Sequence, residues 1–304
     1  MLNEKNITSK NENDTEQPIS IREKMPEILK ILLIDRTKST AAKTKNIIWA
    51  TDHYIQYGLP DYAETSPIHP DLVKGIMGKI IVPRALKAEH VKKDRTKTKA
   101  EVFTPTWIVK KQNDEVDKSY QEDDFETYIK RKWLEITCGE APYMVTRYDM
   151  ETGATISLEK RVGFVDRKLK RISQNIACED EWHKYAILAY QSSYGFEWSG
   201  DSLLLARENL LETYIDYYED KFSVFPSKEN IHQIAETISY NVFQMDGLKY
   251  IIPLSETREK NIKAQLSLFD DEPLEEEWII KPGKRVKIMN WETNKMEFFD
   301  KGIK

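Results

Sequence analysis

LEITCGEAPY, residues 134–143, is the stretch that decides how this chain is expected to fold. Its apolar start predicts a short strand, and Gly139 predicts a tight turn leading into a helix, because glycine permits positive φ and close approach to the backbone. YGFEW (194–198) and NVFQMDGL (241–248) likewise end apolar runs with an acid. Ligands bind at the carboxyl ends of strands in an open α/β sheet. The three strand ends are therefore expected to meet in one site.

Each predicted strand end offers a carboxylate to a nucleotide-like ligand. Glu135 could receive backbone N–H groups or an ammonium group, Glu197 could accept from ribose hydroxyls, and Asp246 could accept from an adenine amino group. Taken singly, the segments also fit an ordinary strand–turn–helix junction, a surface Glu and a turn Asp-Gly pair. Asp166, in GFVDRK (163–168), competes with Glu197 for the ribose role.

The composition is that of a folded chain. Its 304 residues are 40% hydrophobic, 32% charged and 11% aromatic, enough for one large domain and a smaller part. A net charge of -5 argues against a non-specific nucleic-acid binder, although local patches can still bind DNA. Cys138 and Cys178 have neither disulfide-framework nor zinc spacing, which indicates a reducing, cytoplasmic setting and no metal. No segment is typical of a signal peptide or membrane helix, so no membrane association is expected.

Three regions are predicted along the chain. Residues 1–20 are polar and are expected to be a disordered tail, and residues 21–99 are expected to form a helical region. Residues 100–304 are expected to form an α/β domain, in which residues 100–254 alternate strand-like and helix-like runs and predict a mostly parallel sheet. Within it, residues 255–277 are expected to be an exposed loop, and two strands are expected around a turn at 292–294.

A basic segment precedes the first of the motifs. Its cations include Arg84, Lys87, Lys92, Lys93, Arg95 and Lys97. One interpretation is a solvated helix face or a linker. The other is contact with DNA phosphates, where each neutralised phosphate releases counterions. The position of the segment favours DNA contact.

In their order, the motifs resemble those of the amino-methyltransferases of restriction–modification systems, including the modification subunits. EVFTP (101–105) looks like their Q/E-x-F/Y-T-P segment. Residues 135–141 resemble their D-P-x-x-G-S-G turn, with Glu in place of Asp and Ala141 where the second Gly is usual. GFE (195–197), followed by ARENL (206–210), is similar to their ribose-binding strand and helix, and QMDGL (244–248) is similar to their adenine-binding G-D-x-L segment.

The resemblance, which spans about residues 25–250, implies a Rossmann-like class I sheet and an S-adenosylmethionine site. It implies that Thr104 and Pro105 line the methionine end, Glu197 the ribose and Asp246 the adenine N6. The helix pattern after Glu197 favours it over Asp166. The turn residues Glu135, Thr137 and Gly139 complete the predicted cofactor set.

The catalytic segment of that family has no counterpart here. Family members carry N/D-P-P-Y/F/W, whose polar side chain binds the target amino group while the ring stacks on the flipped base. This chain contains no Pro-Pro dipeptide. Asn290 and Trp291 are the nearest candidates, and the alternative for them is a polar turn between two strands.

A second resemblance lies in the charged loop. QLSLF, residues 265–269, matches the pentapeptide Q-L-S/D-L-F by which bacterial replication proteins bind the DNA sliding clamp. Leu268 and Phe269 would fill an apolar pocket and Gln265 a polar one, with Leu266 completing the motif; a segment that orders on binding suits this mode. The alternative is a short turn packed on its own domain.

Two functions of different classes follow. The favoured one is an S-adenosylmethionine-dependent adenine-N6 DNA methyltransferase, or the modification subunit of a restriction–modification system, acting on double-stranded DNA with a specificity or restriction subunit. The alternative is a catalytically inactive methyltransferase-fold protein that binds DNA, the sliding clamp or both. The Thr104-Pro105 segment argues against a methyltransferase for another substrate.

Overall fold

The computed structural model describes residues 21–87, 104–260 and 278–301. These ranges contain eight α-helices: α1 Ile21–Lys24, α2 Pro26–Leu32, α3 Thr106–Asp117, α4 Phe125–Lys130, α5 Phe164–Asn175, α6 Glu179–Gln191, α7 Gly200–Phe222 and α8 Lys228–Asn241. They contain seven strands: β1 Trp133–Glu135, β2 Ser193–Glu197, β3 Val242–Gln244, β4 Thr257–Lys260, β5 Trp278–Lys281, β6 Lys287–Asn290 and β7 Lys295–Phe298. The predicted α/β class is confirmed.

One three-stranded parallel sheet organises the centre of the molecule. Its order is β1-β2-β3, with Leu134 opposite Tyr194 and Phe196 opposite Phe243. Helices α5 and α6 connect β1 to β2, and α7 and α8 connect β2 to β3, as parallel pairing requires. The carboxyl ends of the three strands therefore lie side by side at one end of the sheet.

Helix α7 is buried on nearly every side over its 23 residues, which is typical of a helix at the centre of a fold. It contributes to a large core shared with the N-terminal residues, so Leu29 and Trp49 belong to the same cluster as Leu210. A smaller core on the other face of the sheet contains Phe196 and Phe243. The N-terminal residues and the α/β residues are thus packed as one unit.

The N-terminal region is less helical than expected. Its α-helices end at Leu32, and residues 33–87 form turns, isolated bridges and short 3-10 helices. Gly58-Leu59-Pro60 and the further prolines at 67 and 70 explain this, since proline removes a backbone donor and restricts the preceding residue. Residues 1–20 and 88–99 of the predicted tail and helical region lie outside the described residues.

The C-terminal residues form two antiparallel ribbons. β4 pairs with β5, and β6 pairs with β7 around a turn. The second ribbon was predicted. The first corrects one end of the expected loop at 255–277, because Thr257–Lys260 is a strand; the rest of that loop lies outside the described residues. None of the helices in the described ranges has the length and apolar character needed to span a bilayer.

Candidate functional site at the carboxyl ends of the parallel strands

The turn after β1 has an unusual backbone. Thr137, Gly139 and Ala141 all have positive φ, at 46°, 54° and 65°. Such a conformation suits glycine and is uncommon for other residues. Ala141 stands where the resemblance expects a second glycine, and it keeps a glycine-like backbone there. The alternating left-handed residues give a compact turn, in which the Ala141 N–H donates to the Cys138 carbonyl at 2.7 Å and the Cys138 N–H donates to the Phe196 carbonyl of β2 at 2.8 Å.

Glu197, the last residue of β2, joins this turn to the neighbouring strand. Its Oε2 accepts a hydrogen bond from the Gly139 N–H at 2.9 Å, and its Oε1 accepts from the Ser199 N–H at 3.1 Å. Burial raises the pKa of Glu197, and these N–H contacts oppose the rise. Two of the predicted cofactor residues therefore lie in direct contact. Each carboxylate oxygen has a second lone pair that can accept from a ligand.

Glu135, the last residue of β1, stabilises the turn itself. It is buried, and its two oxygens accept from the backbone N–H groups of Tyr143 at 3.1 Å and Met144 at 2.9 Å. Burial raises the pKa of Glu135 to about 8, against the effect of these two contacts. Two roles were considered for Glu135, which were to bind backbone N–H groups or to bind an ammonium group. Its contacts in the structure are with backbone N–H groups.

Asp246 follows β3 and shapes another turn. Its Oδ1 accepts from the N–H groups of Leu248 at 2.9 Å and Lys249 at 3.1 Å, the pattern of an Asx turn. A Cβ added to Gly247 would lie 2.7 Å from the Phe196 ring, so the glycine is needed for packing. Asp246 remains partly exposed at the same edge of the sheet as Glu197.

Thr104 and Pro105 lead directly into α3, with Pro105 as the N-cap. The helix is anchored on the β1 turn, because the Asn113 side chain donates to the Tyr143 carbonyl at 3.0 Å. Thr106 Oγ1 donates to Asp149 Oδ2 at 2.8 Å. The predicted methionine-end residues therefore begin a helix that packs against the turn.

The predicted catalytic residues Asn290 and Trp291 lie near the amino ends of the parallel strands, opposite to the carboxyl ends. Trp291 Nε1 donates to Asn241 Oδ1 at 2.8 Å, and Asn241 immediately precedes β3. Asn290 Oδ1 accepts from the N–H groups of Glu292 and Thr293 within the β6–β7 turn. The hairpin turn lies at the amino ends of the strands, away from Glu197. The contacts match the alternative of a polar turn.

The two described residues of the basic segment, Arg84 and Lys87, form contacts within the protein. Lys87 Nζ lies 3.7 Å from Asp201 Oδ2, and both side chains are buried; Asp201 also accepts from the Tyr54 hydroxyl at 2.7 Å. The backbone N–H of Arg84 donates to Glu140 at 2.7 Å. Lys87 is therefore not a solvated phosphate contact, which corrects its assignment to DNA binding. Lys92, Lys93, Arg95 and Lys97, and the clamp-peptide residues Gln265, Leu266, Leu268 and Phe269, lie outside the described residues.

Sequence reasoning does not predict that the segment at 46–50 crosses the carboxyl ends of β2 and β3. The Gln244 side chain accepts from the Ile48 N–H at 3.0 Å and donates to the Ile48 carbonyl at 2.9 Å and the Trp198 carbonyl at 2.8 Å. Trp198 Nε1 donates to the Ala50 carbonyl at 2.8 Å. Gln244, a polar residue within the otherwise apolar run 242–245, is a signal of a buried polar contact, but it does not reveal a partner almost two hundred positions away.

Within the described ranges, no group of His, Cys, Asp and Glu is arranged to hold a metal ion. Comparison with known proteins returned no matching family model, no matching curated protein and no matching solved structure.

Proposed function

We propose that this protein binds S-adenosylmethionine at the carboxyl ends of β1, β2 and β3, and serves adenine-N6 methylation of double-stranded DNA. It would act as a methyltransferase or as the modification subunit of a restriction–modification system in the cytoplasm. The observation that carries the proposal is the contact between Glu197 and the Gly139 N–H, which brings a strand-end acid onto a glycine turn. Those are the two elements that the resemblance assigns to the cofactor.

The strand order supports a Rossmann-like class I sheet. Parallel strands ordered β1-β2-β3 match one half of a doubly wound sheet, in which a strand-end acid binds ribose hydroxyls. Glu197 would accept from the ribose, Asp246 lies on the next strand toward the adenine, and Thr137 and Gly139 form the turn beside the methionine part. Glu135 would hold that turn in shape rather than contact the cofactor, because its side chain is buried and both its oxygens bind N–H groups of Tyr143 and Met144.

The bound cofactor would supply the methyl group, and the target adenine would have to leave the DNA stack to reach it. No described residue at the carboxyl edge matches the N/D-P-P-Y/F/W acceptor of the family. The proposal therefore assigns recognition of the flipped base to a partner, such as a specificity or restriction subunit, and the cofactor to this chain.

Calorimetric titration of S-adenosylmethionine into the purified chain tests the cofactor site. Micromolar affinity, on the order of -8 kcal/mol, is expected. Glu197→Gln should weaken it about tenfold or more, because an amide accepts ribose hydroxyls less strongly than a carboxylate. Glu126→Gln, the same change at an exposed pair with Lys130 on α4, is the control. Folded protein without measurable affinity would refute cofactor binding by the isolated chain.

The alternative function, clamp or DNA binding without catalysis, is favoured by the peptide QLSLF at 265–269. It is also favoured by the structural use of the Glu135 and Asp246 carboxylates. Titration of a bacterial sliding clamp with the chain and with a Leu268→Ala, Phe269→Ala double variant separates the two functions. Clamp binding that the variant abolishes, together with no cofactor affinity, would support the alternative.

A further inference from the structure

Strand β1 lies at the end of the three-stranded sheet and is hydrogen-bonded only to β2 among the described strands. The Trp133 N–H donates to the Ser192 carbonyl at 3.0 Å. Because hydrogen-bonding groups of successive residues in a parallel strand point to opposite sides, the N–H and C=O of Leu134 point away from β2. Within the described ranges, no strand pairs with this side of β1, which forms an open edge of the sheet.

The side chains at this edge are apolar and exposed. Leu134 is 46% exposed and Ile136 is 66% exposed. Proteins usually protect an open edge with charges, bulges or a cover. Lys132 precedes β1 and pairs with Glu292 at 3.0 Å, but Leu134 within the strand and Ile136 just after it are exposed apolar residues. This edge has the character of an interaction site rather than a protected edge.

Two clefts flank the same edge on opposite faces of the sheet. One has a volume of about 680 Å³ and lies between β1 and the β6–β7 ribbon, where Met289 and Phe298 line it. The other has a volume of about 460 Å³ and lies between β1 and α3, where Val116 and Phe164 line it. Leu134 borders both clefts.

The faces are distinguished by contacts of neighbouring residues. The Trp133 ring stacks on Phe164 at 5.0 Å between centroids, on the helical face. Leu134 is paired with Tyr194, whose hydroxyl donates to the Met289 carbonyl at 3.4 Å on the ribbon face. Successive side chains of a strand alternate between the two faces of the sheet. The two clefts therefore lie on opposite faces, on either side of the position that a strand added beside β1 would occupy.

We propose that the open edge of β1 is a docking site for an extended, uncharged apolar segment of a partner polypeptide. The segment would add as a fourth strand, pair with the outward N–H and C=O of Leu134, and place alternate side chains into the two clefts. Strand addition of this kind obtains affinity from main-chain hydrogen bonds and specificity from pockets for alternate side chains. The surface adjoins the proposed cofactor turn at Ile136, but the main-chain pairing at Leu134 uses none of the proposed cofactor residues.

The charges around the larger cleft favour this occupant over a charged one. Lys132 pairs with Glu292, and Lys301 pairs with Glu297 at 3.0 Å, so the cations and anions at the rim compensate one another. A ligand of this site therefore has to match its apolar side chains and its main-chain groups, and not a net charge.

The test uses the full chain and a short peptide of alternating Val and Leu, flanked by Lys for solubility and blocked at both ends. Calorimetry should detect binding, and hydrogen exchange should show the Leu134 amide becoming protected when the peptide is added. A peptide of the same sequence should not bind when its backbone nitrogens are methylated along both sides that could pair with β1. It then has no N–H groups with which to form the main-chain contacts.

Leu134→Pro should abolish peptide binding while leaving the sheet intact, since the lost N–H points away from β2 and proline is tolerated at such edge positions. Leu134→Ala, which keeps the backbone, should weaken binding several-fold if the proline variant does not fold. Ile280→Ala, at an exposed residue of β5, is the matched control and should bind normally.

Three results would overturn the proposal. The first is no binding of the unmodified peptide, or equal binding of the N-methylated one. The second is a Leu134 amide that is already protected in the free protein, which would mean that the edge is covered. The third is self-association that Leu134→Pro abolishes, which would assign the edge to a second copy of this chain.

Discussion

Two glutamates end neighbouring parallel strands and have different surroundings. Glu135 is buried with both oxygens bound to N–H groups of its own turn, whereas Glu197 is partly exposed and bridges two turns. The first stabilises the loop that the second contacts. A ligand at the strand ends would therefore meet Glu197, and Glu135 would act on it only through the shape of the turn.

Burial of Glu135 should make stability fall as pH rises. Its pKa is about 8 in the folded protein against an ordinary value of 4.5, so between these values the folded state holds a proton that the unfolded state has lost. The contribution of Glu135 to the free energy of unfolding is therefore expected to fall by a few kcal/mol between about pH 5 and pH 8. Urea unfolding at several pH values measures it.

Glu135→Gln should flatten this dependence, because the amide does not titrate. Asp166, whose pKa burial raises to about 6, and Glu197, whose pKa burial also raises, should leave a smaller decrease. Glu126→Gln should keep the full wild-type profile. Wild-type and Glu135→Gln profiles that run parallel from pH 5 to pH 8 would show that folding does not raise the pKa of Glu135.

At the level of elements, the start of α7 is fixed by the segment at 46–50. The Gly200 N–H donates to the Trp49 carbonyl at 2.9 Å, and a Cβ on Gly200 would lie 2.1 Å from the Ile48 carbonyl oxygen. Residue 200 must therefore be glycine for the segment to lie across the strand ends. This close approach holds the N-terminal residues beside Glu197.

Gly200→Ala should destabilise the protein by about 1–3 kcal/mol, the usual cost of overpacking, because both atoms in the clash are fixed by neighbouring contacts. Gly78→Ala is the control, since its Cβ would meet nothing closer than 3.5 Å. Thermal unfolding of both variants checks this. Equal melting temperatures would mean that the 46–50 segment is not docked on α7.

The elements differ in how far the sequence predicts them. The three parallel strands and the β6–β7 ribbon follow from apolar runs ended by Gly, an acid or a turn, which are local signals. The 33–87 region could not be predicted, because its bonds are long-range: Gln244 binds Ile48 from almost two hundred positions away. The position of Asn290 relative to the sheet could not be predicted for a related reason. A local pattern predicts a hairpin, but not which end of the parallel strands its turn lies against.

At the scale of the whole molecule, Arg207 on α7 connects three parts of the fold. Its guanidinium, fully buried, donates to the carbonyls of Leu32 and Ile34 in the N-terminal region and to those of Ser239 and Val242 at the end of α8 and the start of β3. Arginine suits this position because its planar fork directs five donors at once. One side chain thereby couples the N-terminal residues to the sheet.

Arg207→Met should remove this coupling and cost about 3–5 kcal/mol, the range for breaking a buried charged network, since four carbonyls lose a donor. Arg207→Lys should rescue it only in part, because an ammonium has three donors and a different geometry. Arg36→Met, at a less buried arginine over Tyr240, should cost much less. Urea unfolding followed by tryptophan fluorescence and by far-ultraviolet circular dichroism should give one shared transition for the wild-type protein, because its core is continuous. Separate transitions in the wild type would show instead that the N-terminal region and the sheet fold independently.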